Sequence, residues 1–283
     1  MHDEEYPTTT PEFNFAKTTP YTRSETEIKT LLESALQDTA ITYLDSTNNP
    51  DLDDFVIISV PGSNLYSDIG KSLEATIFKQ DWGYDEEFIE ECFIDYDSRS
   101  EFLILIDNTE TDPKAAGVLR ILDATNELSE TVSFYQEFNG EDTPVPAELM
   151  PDKPGEGLWD IVTVATPQQY RGGESSAWLY HALYKRSREE AVKKWTANVT
   201  PREMKNLRKL IGIPFIEVPG VAEIVEISPI TGQEARYGFY SIDVDTIEPQ
   251  VSDRISHYEQ KDSGISRTMA RLARIALNGS VSQ

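Results

Sequence analysis

One cysteine and three histidines are all that 283 residues contain of the commonest soft metal ligands. Cys92 alone excludes an intrachain disulfide, and His2, His181 and His257 are too scattered for a metal-binding spacing, so no metal is expected. Long apolar runs are also missing. No stretch approaches the roughly 20 residues that a membrane span requires, and the opening MHDEEYPTTT has neither the basic nor the apolar region of a secretion signal. The expected compartment is therefore the cytoplasm, with no membrane span. Positive charge is scarce as well: 25 Lys and Arg stand against 50 Asp and Glu, a formal net charge of -25. Such an acidic protein repels a phosphate backbone, so no nucleic-acid partner is expected, while the excess charge favours solubility. With 39% hydrophobic residues the chain can bury a core in one large domain with extensions.

The stretch from Leu158 to Lys194 departs from this background. LWDIVTVAT holds a short β-branched run bounded by Gly155, Gly157 and Pro167, which predicts a buried strand. PQQYRGGESS then forms a polar glycine turn. AWLYHALYKRSREEAVKK follows with Trp178, Leu179, Ala182, Leu183 and Val192 able to share one helical face. A helix N-terminus presents unpaired N–H groups and partial positive charge, so a glycine turn that opens one can receive phosphate oxygens. Residues 171 to 209 hold ten basic side chains (Arg171, Lys185, Arg186, Arg188, Lys193, Lys194, Arg202, Lys205, Arg208, Lys209) against Glu174, Glu189, Glu190 and Glu203. This segment is thus about six units positive within an acidic chain, which suits a phosphorylated ligand, although a solvated helix face has the same composition.

DIVTVATPQQYRGG with its following helix resembles the coenzyme A loop of the GNAT superfamily of acyl-CoA-dependent N-acyltransferases, whose pattern is Arg or Gln, x, x, Gly, x, Gly or Ala. Aligned on Arg171, the two small-residue positions fall on Glu174 and Ser176. WTANVTPREMKNLRKLIGIPF resembles the strand and helix that follow that loop, and SEFLILID with AAGVLRILDA resembles the hairpin before it. KSLEATIF, DEEFIEECF and AGVLRI are also similar to autoinducer-synthase-like members. The resemblance covers about residues 55 to 245. It implies an α/β (α+β) fold with a central mixed, mostly antiparallel sheet flanked by helices, and acetyl-CoA or another acyl-CoA as substrate with an amine acceptor on a small molecule or protein. It implies that Arg171, Gly172, Gly173, Glu174, Ser175 and Ser176 hold the coenzyme, and that a backbone amide at Thr163, Val164 or Ala165 polarises the thioester. Asp160 is the candidate base, with Glu74 behind it. The family's thiolate-protonating tyrosine falls here on Arg208, leaving Arg208 as candidate, with Tyr184 or Tyr180 as substitutes. A GNAT-like binding or interaction module without acyl transfer is the alternative, favoured by Glu174 and by the missing tyrosine.

Along the rest of the chain, residues 1–23 read as a flexible arm, 24–248 as the acyltransferase-like domain and 249–283 as a helical tail. Ser24 and Glu27 have capping-box spacing for a first helix, broken by STNNPDLDD, and Phe55 to Val60 reads as a strand. Helices are predicted over Ser67 to Lys79 and Asp85 to Tyr96, split at Gly83. Phe78, Trp82, Tyr84 and Phe88 there line either a pocket or plain core, and Cys92 reads as a small buried hydrophobe. Phe102 to Ile106 and Ala116 to Leu122 predict a hairpin in which Arg120 either faces solvent, the favoured reading, or points into the site. A helix is expected over Leu128 to Phe138, then a long loop to Gly157. Thr200, Pro201 and Glu203 predict a capped helix ending at Gly212. The closing strands are Phe215 to Val218, Glu223 to Ile227 and Tyr237 to Val244, with ITGQ as a turn. In the tail, SRTMARLARIAL places Met269, Leu272, Ile275 and Ala276 on one face, suited to a membrane, to its own domain or to a homodimer partner.

Overall fold

The computed structural model describes residues 19–39, 41–44, 55–109, 111–172, 174–227, 232, 234–261 and 263–279. Most of the expected N-terminal arm, the STNNPDLDD break, most of ITGQ and Gly173 lie outside the described residues. The sheet runs β1 (Thr42–Tyr43), β2 (Phe55–Pro61), β3 (Ser100–Asp107), β4 (Lys114–Asp123), β5 (Leu158–Ala165), β6 (Lys194–Val199), then β9 (Glu234–Asp243) and β7 (Ile216–Glu217), while β8 (Ile224–Ile227) pairs with β9. Every pairing is antiparallel except β5 with β6. This is the mixed, mostly antiparallel sheet flanked by helices that the sequence implies.

Alternation along β3 shows how the two faces are filled. Leu103 and Leu105 join one apolar cluster, while Phe102, Ile104 and Ile106 join another. Helices α1 (Glu25–Ala35) and α2 (Ser67–Trp82) cover the second face through Leu31, Leu32, Ile69 and Ile77. On the first face lies α5 (Glu174–Glu189), which packs Ala177, Trp178, Leu179, Ala182 and Leu183 onto the sheet. Both faces being covered, β3 and β4 read as continuous apolar runs. Local signals set the ends of these elements. The Ser24–Glu27 capping box opens α1, Gly83 ends α2 at φ 74°, and the Asp85 side chain caps α3 (Glu86–Phe93). Ser129 caps α4 (Glu130–Asn139), and Thr200 with Pro201 opens α6 (Pro201–Leu210).

The structure differs from the sequence reading in three places. Pro20–Thr22 forms a short 3-10 turn with Tyr21 buried, so the chain is anchored to the core before residue 23. Residue 248 divides no core: α7 (Ile247–Glu259) and α8 (Gly264–Asn278) contribute Ile247, Val251, Leu272, Ala273, Ile275 and Ala276 to the same cluster as α5. The apolar stripe of α8 is covered by its own chain, and Arg271 pairs with Glu174 at 2.9 Å. Arg120 is the third difference. It is fully buried, because the face of β4 on which it lies is covered by α2 instead of water.

Among the described residues no helix is long and apolar enough to cross a membrane. Since Leu272 is a core residue, Leu272→Ala should lower unfolding stability by about 2–5 kcal/mol, measured by denaturant melts. A change near zero would make the C-terminal segment an appendage.

Candidate active site

Strands β5 and β6 run parallel in register only over Leu158↔Lys194, Trp159↔Trp195 and Asp160↔Thr196. Beyond Asp160 they part, because β5 stays with β4 while β6 follows β9. Separation of two neighbouring strands opens a gap in the middle of the sheet. A cleft of about 980 Å³ fills it, bordered by Ile161 to Thr166 of β5 and its end, by Ala197 to Thr200 of β6 and its end, and by residues of α2 to α6. The β4–β5 register also slips there: Arg120 pairs with Thr163 but Ile121 with Ile161, so Val162 is an extra residue at a bulge. A bulge leaves backbone groups outside the ladder at the wall of the cleft.

Asp160, the expected base, stands where the strands part but is not among the residues that line the cleft. It is fully buried, and its oxygens accept from Thr131 N at 2.8 Å, Thr131 Oγ1 at 2.6 Å and Thr196 Oγ1 at 2.8 Å. These bonds pin the first turn of α4 to β5 and β6, where the positive end of the helix favours a carboxylate. Glu130, the first residue of α4, lies beside it on the cleft wall. Its Oε2 is closed off from solvent without a hydrogen-bond partner, while Asn198 of β6 donates to the carboxyl. Burial, and next the negative charge of Asp160, push Glu130 up from 4.5 to about 8. Burial also raises Asp160, against the pull of the Thr131 and Thr196 donors. Two close carboxyls with unequal donors divide their roles in this way. The sequence reading missed Glu130 because nothing local distinguishes a glutamate at a helix start from an ordinary first-turn acid.

Glu74 lies behind β5, not in the cleft. It is fully buried, accepts from Thr163 Oγ1, and pairs with Arg120 Nη2 at 2.7 Å. Arg120 also reaches Tyr21 Oη at 2.9 Å and Asp97 at 3.3 Å, and stacks 4.6 Å from the ring centres of both Phe93 and Phe102. Burial pushes the Glu74 carboxyl up, and Arg120 and Thr163 oppose that. Glu74 holds Thr163 in place and is a positioning group. Arg208 is likewise displaced: α6 lines the cleft with Glu203, Met204, Asn206, Leu207 and Leu210, whereas the Arg208 guanidinium lies 5.2 Å from the Tyr240 ring centre. Tyr184 contacts Glu248 away from the cleft, whereas Tyr180 lines it. Burial raises the Tyr180 hydroxyl, so it stays protonated at neutral pH.

Of the expected coenzyme residues, Thr163, Val164, Ala165, Arg171, Gly172 and Ser176 line the cleft. Ser175 does not; its hydroxyl donates to Tyr170 O at 3.2 Å. Glu174 points to Arg271 of α8, and Gly173 lies outside the described residues. Arg171 is exposed, donates to Thr166 O at 3.0 Å and pairs with Asp81 at 2.5 Å. The basic segment is less free than its sum implies. Arg188 and Lys193 pair with Asp245, and Arg186 pairs with Glu101 and Glu190. Cys92 is exposed and lines the cleft, contrary to the expectation of a buried thiol. Partial desolvation by the cleft walls and then Glu226 push the thiol up to about 11, so it stays protonated near neutrality. No group of three His, Cys, Asp or Glu suited to a metal occurs among the described residues.

The raised Glu130 has a thermodynamic consequence. A carboxyl whose folded pKa exceeds its unfolded value binds an extra proton in the native state, so stability falls as pH rises from about 4.5 to about 8. Glu130→Gln should therefore raise the melting temperature relative to wild type by an amount that grows across this window and levels off above it. A difference independent of pH would contradict the assignment.

No family model matches the chain, and no curated protein does. Among solved structures it is similar to FeeM, an N-acyl amino acid synthase from uncultured soil microbes, at 15% identity and TM-score 0.44 over 69% of this chain and 95% of that one. Arabidopsis thaliana NAA60 in complex with acetyl-CoA gives 15% identity and TM-score 0.44 over 68% and 99%. The CoA-dependent acyl-homoserine lactone synthase MesI gives 13% and 0.37 over 53% of this chain and 65% of that one. These are partial likenesses of the backbone at low identity.

Proposed function

We propose that the protein transfers an acyl group from an acyl-CoA to an amine, with the thioester seated where β5 and β6 part. The observation that carries this is Glu130: a half-buried residue whose carboxyl oxygen Oε2 is shielded and unpaired, held near pKa 8 on the wall of a cleft whose other wall is a bulged strand edge. An amine acceptor is mostly an ammonium ion at neutral pH and must lose a proton before it can attack. A base of pKa near the working pH serves this better than an ordinary glutamate.

The steps balance with this chain's own groups. Glu130 takes the ammonium proton, and the nitrogen attacks the carbonyl carbon to form the C–N bond. Negative charge then develops on the carbonyl oxygen, which backbone N–H groups at the Val162 bulge can stabilise. The C–S bond breaks, the Tyr180 hydroxyl gives its proton to the departing thiolate, and the phenolate takes the second proton that the attacking nitrogen loses in becoming a neutral amide, while Glu130 returns the first proton to solvent. The turn at Arg171 and Gly172, leading to Ser176, would receive the coenzyme's phosphates at the start of α5. A phosphate there competes with Asp81 for Arg171, so Asp81→Asn should tighten coenzyme A binding.

With acetyl-CoA and an amine of pKa above 10, kcat/KM should rise with pH through about 8, because the base must be deprotonated. Glu130→Gln should lower kcat by about 10²–10⁴-fold and flatten that rise, with coenzyme A affinity retained. Coenzyme binding without thioester cleavage across a panel of amines and acyl chain lengths would favour the non-catalytic binding module instead.

A further inference from the structure

The cleft walls carry charge of almost one sign. Asp81, Glu130, Glu137, Glu203 and Glu226 line it, and among the described residues its one Lys or Arg is Arg171, already paired with Asp81. The carboxylates are not spread evenly. Glu137 from the last turn of α4 and Glu226 from β8 both border the cleft, and burial and then the charge of Glu137 push the Glu226 carboxyl up. Tyr237 of β9 donates a hydrogen bond to Glu226. Phe134 packs edge-on to Tyr237 with ring centres 5.4 Å apart, so that aromatic surface and carboxylates share one end of the cleft. The second, independent sign of a ligand is the shielded Glu130 Oε2, which has no donor from the protein.

Mutually repelling carboxylates raise the energy of the empty site, and a cation relieves that repulsion. Aromatic faces beside them favour an ammonium group and its alkyl stem over a hydrated anion. The single amine that is acylated needs only Glu130. Glu137 and Glu226 are then unused by the chemistry and are available to a second positive centre. Resting on the acyl-transfer reading of the cleft, we infer that the acceptor is a di- or polycationic amine, one nitrogen delivered to Glu130 and a second bound between Glu137 and Glu226 beside Phe134 and Tyr237. Acidic or zwitterionic acceptors are disfavoured by the same charges.

Calorimetric titration of the full chain at physiological ionic strength, with no thioester present, tests this with 1,4-diaminobutane, n-butylamine and 4-aminobutanoate. The expected order of affinity is diamine, then monoamine, then amino acid. The double variant Glu137→Gln, Glu226→Gln should weaken diamine binding by about tenfold and remove its advantage over n-butylamine, with acetyl-CoA affinity unchanged. A control variant, Glu141→Gln with Asp142→Asn, neutralises two exposed carboxylates outside the cleft lining and should keep the preference. No preference for the diamine in the wild type, a preference that survives the cleft variant, or one lost equally in the control overturns the inference. Turnover with acetyl-CoA is measured separately: selective diamine binding without thioester cleavage would leave this site standing and remove the acyl-transfer reading.

Discussion

Asp160 and its hydrogen bonds hold together the place on which the cleft depends. At this residue two strands that have run side by side take different partners, and a helix start meets them both. Three donors from Thr131 and Thr196 meet one carboxylate there, and all three residues are fully buried. Unpairing strands in the middle of a sheet leaves backbone groups in need of partners, and a gap of this kind persists only where its apex is fixed. Asp160 fixes it. The same bonds deliver Glu130 to the cleft wall, and the charge they stabilise keeps Glu130 protonated to unusually high pH. Structure and reactivity thus come from one buried carboxylate with two neighbours.

A second buried network supports the strand from behind. Arg120, Glu74, Asp97, Lys71 and Tyr21 tie β4, α2 and the segment before α1 together, and Thr163 of β5 joins them through Glu74. Removing one partner from such a set leaves a buried charge uncompensated, at a cost of about 3–5 kcal/mol. The location of this network matters more than its strength: it lies directly beneath the bulge, where the β4–β5 register slips. Charge on one side of β5 and the cleft on the other constrain the strand so that its irregularity is a fixed feature. The C-terminal helices have a comparable role at α5, where Arg271 occupies the Glu174 carboxylate next to the coenzyme turn.

Most elements were legible in the sequence because their signals are local. Capping residues at Ser24 and Thr200 marked helix starts, and the apolar run of β3 and the β-branched run of β5 marked strands. What failed was whatever depended on which side of an element is covered. Arg120 read as solvent-facing because a lone charge in a strand usually is; the covering α2 is remote in sequence. Asp160 and Glu74 read as a candidate base and its reserve, but both are buried on donors from Thr131, Thr196, Thr163 and Arg120, none of them neighbours in the chain. Glu130 stayed invisible because its shift comes from burial and from the neighbouring Asp160 charge, which the fold supplies and the local sequence does not. Arg208 was assigned by position in a pattern, and the helix turns it away from the cleft.

The central claim is that the parting of β5 and β6 forms the acyl-CoA seat. Amide hydrogen exchange of the full chain with and without saturating coenzyme A tests it most directly, since it reports the ligand's footprint whatever the acceptor. The account predicts slowed exchange at residues 161–166, 171–176 and 197–200, with little change in β2 and β3. Unchanged exchange at these segments, or protection confined to another surface, would contradict it.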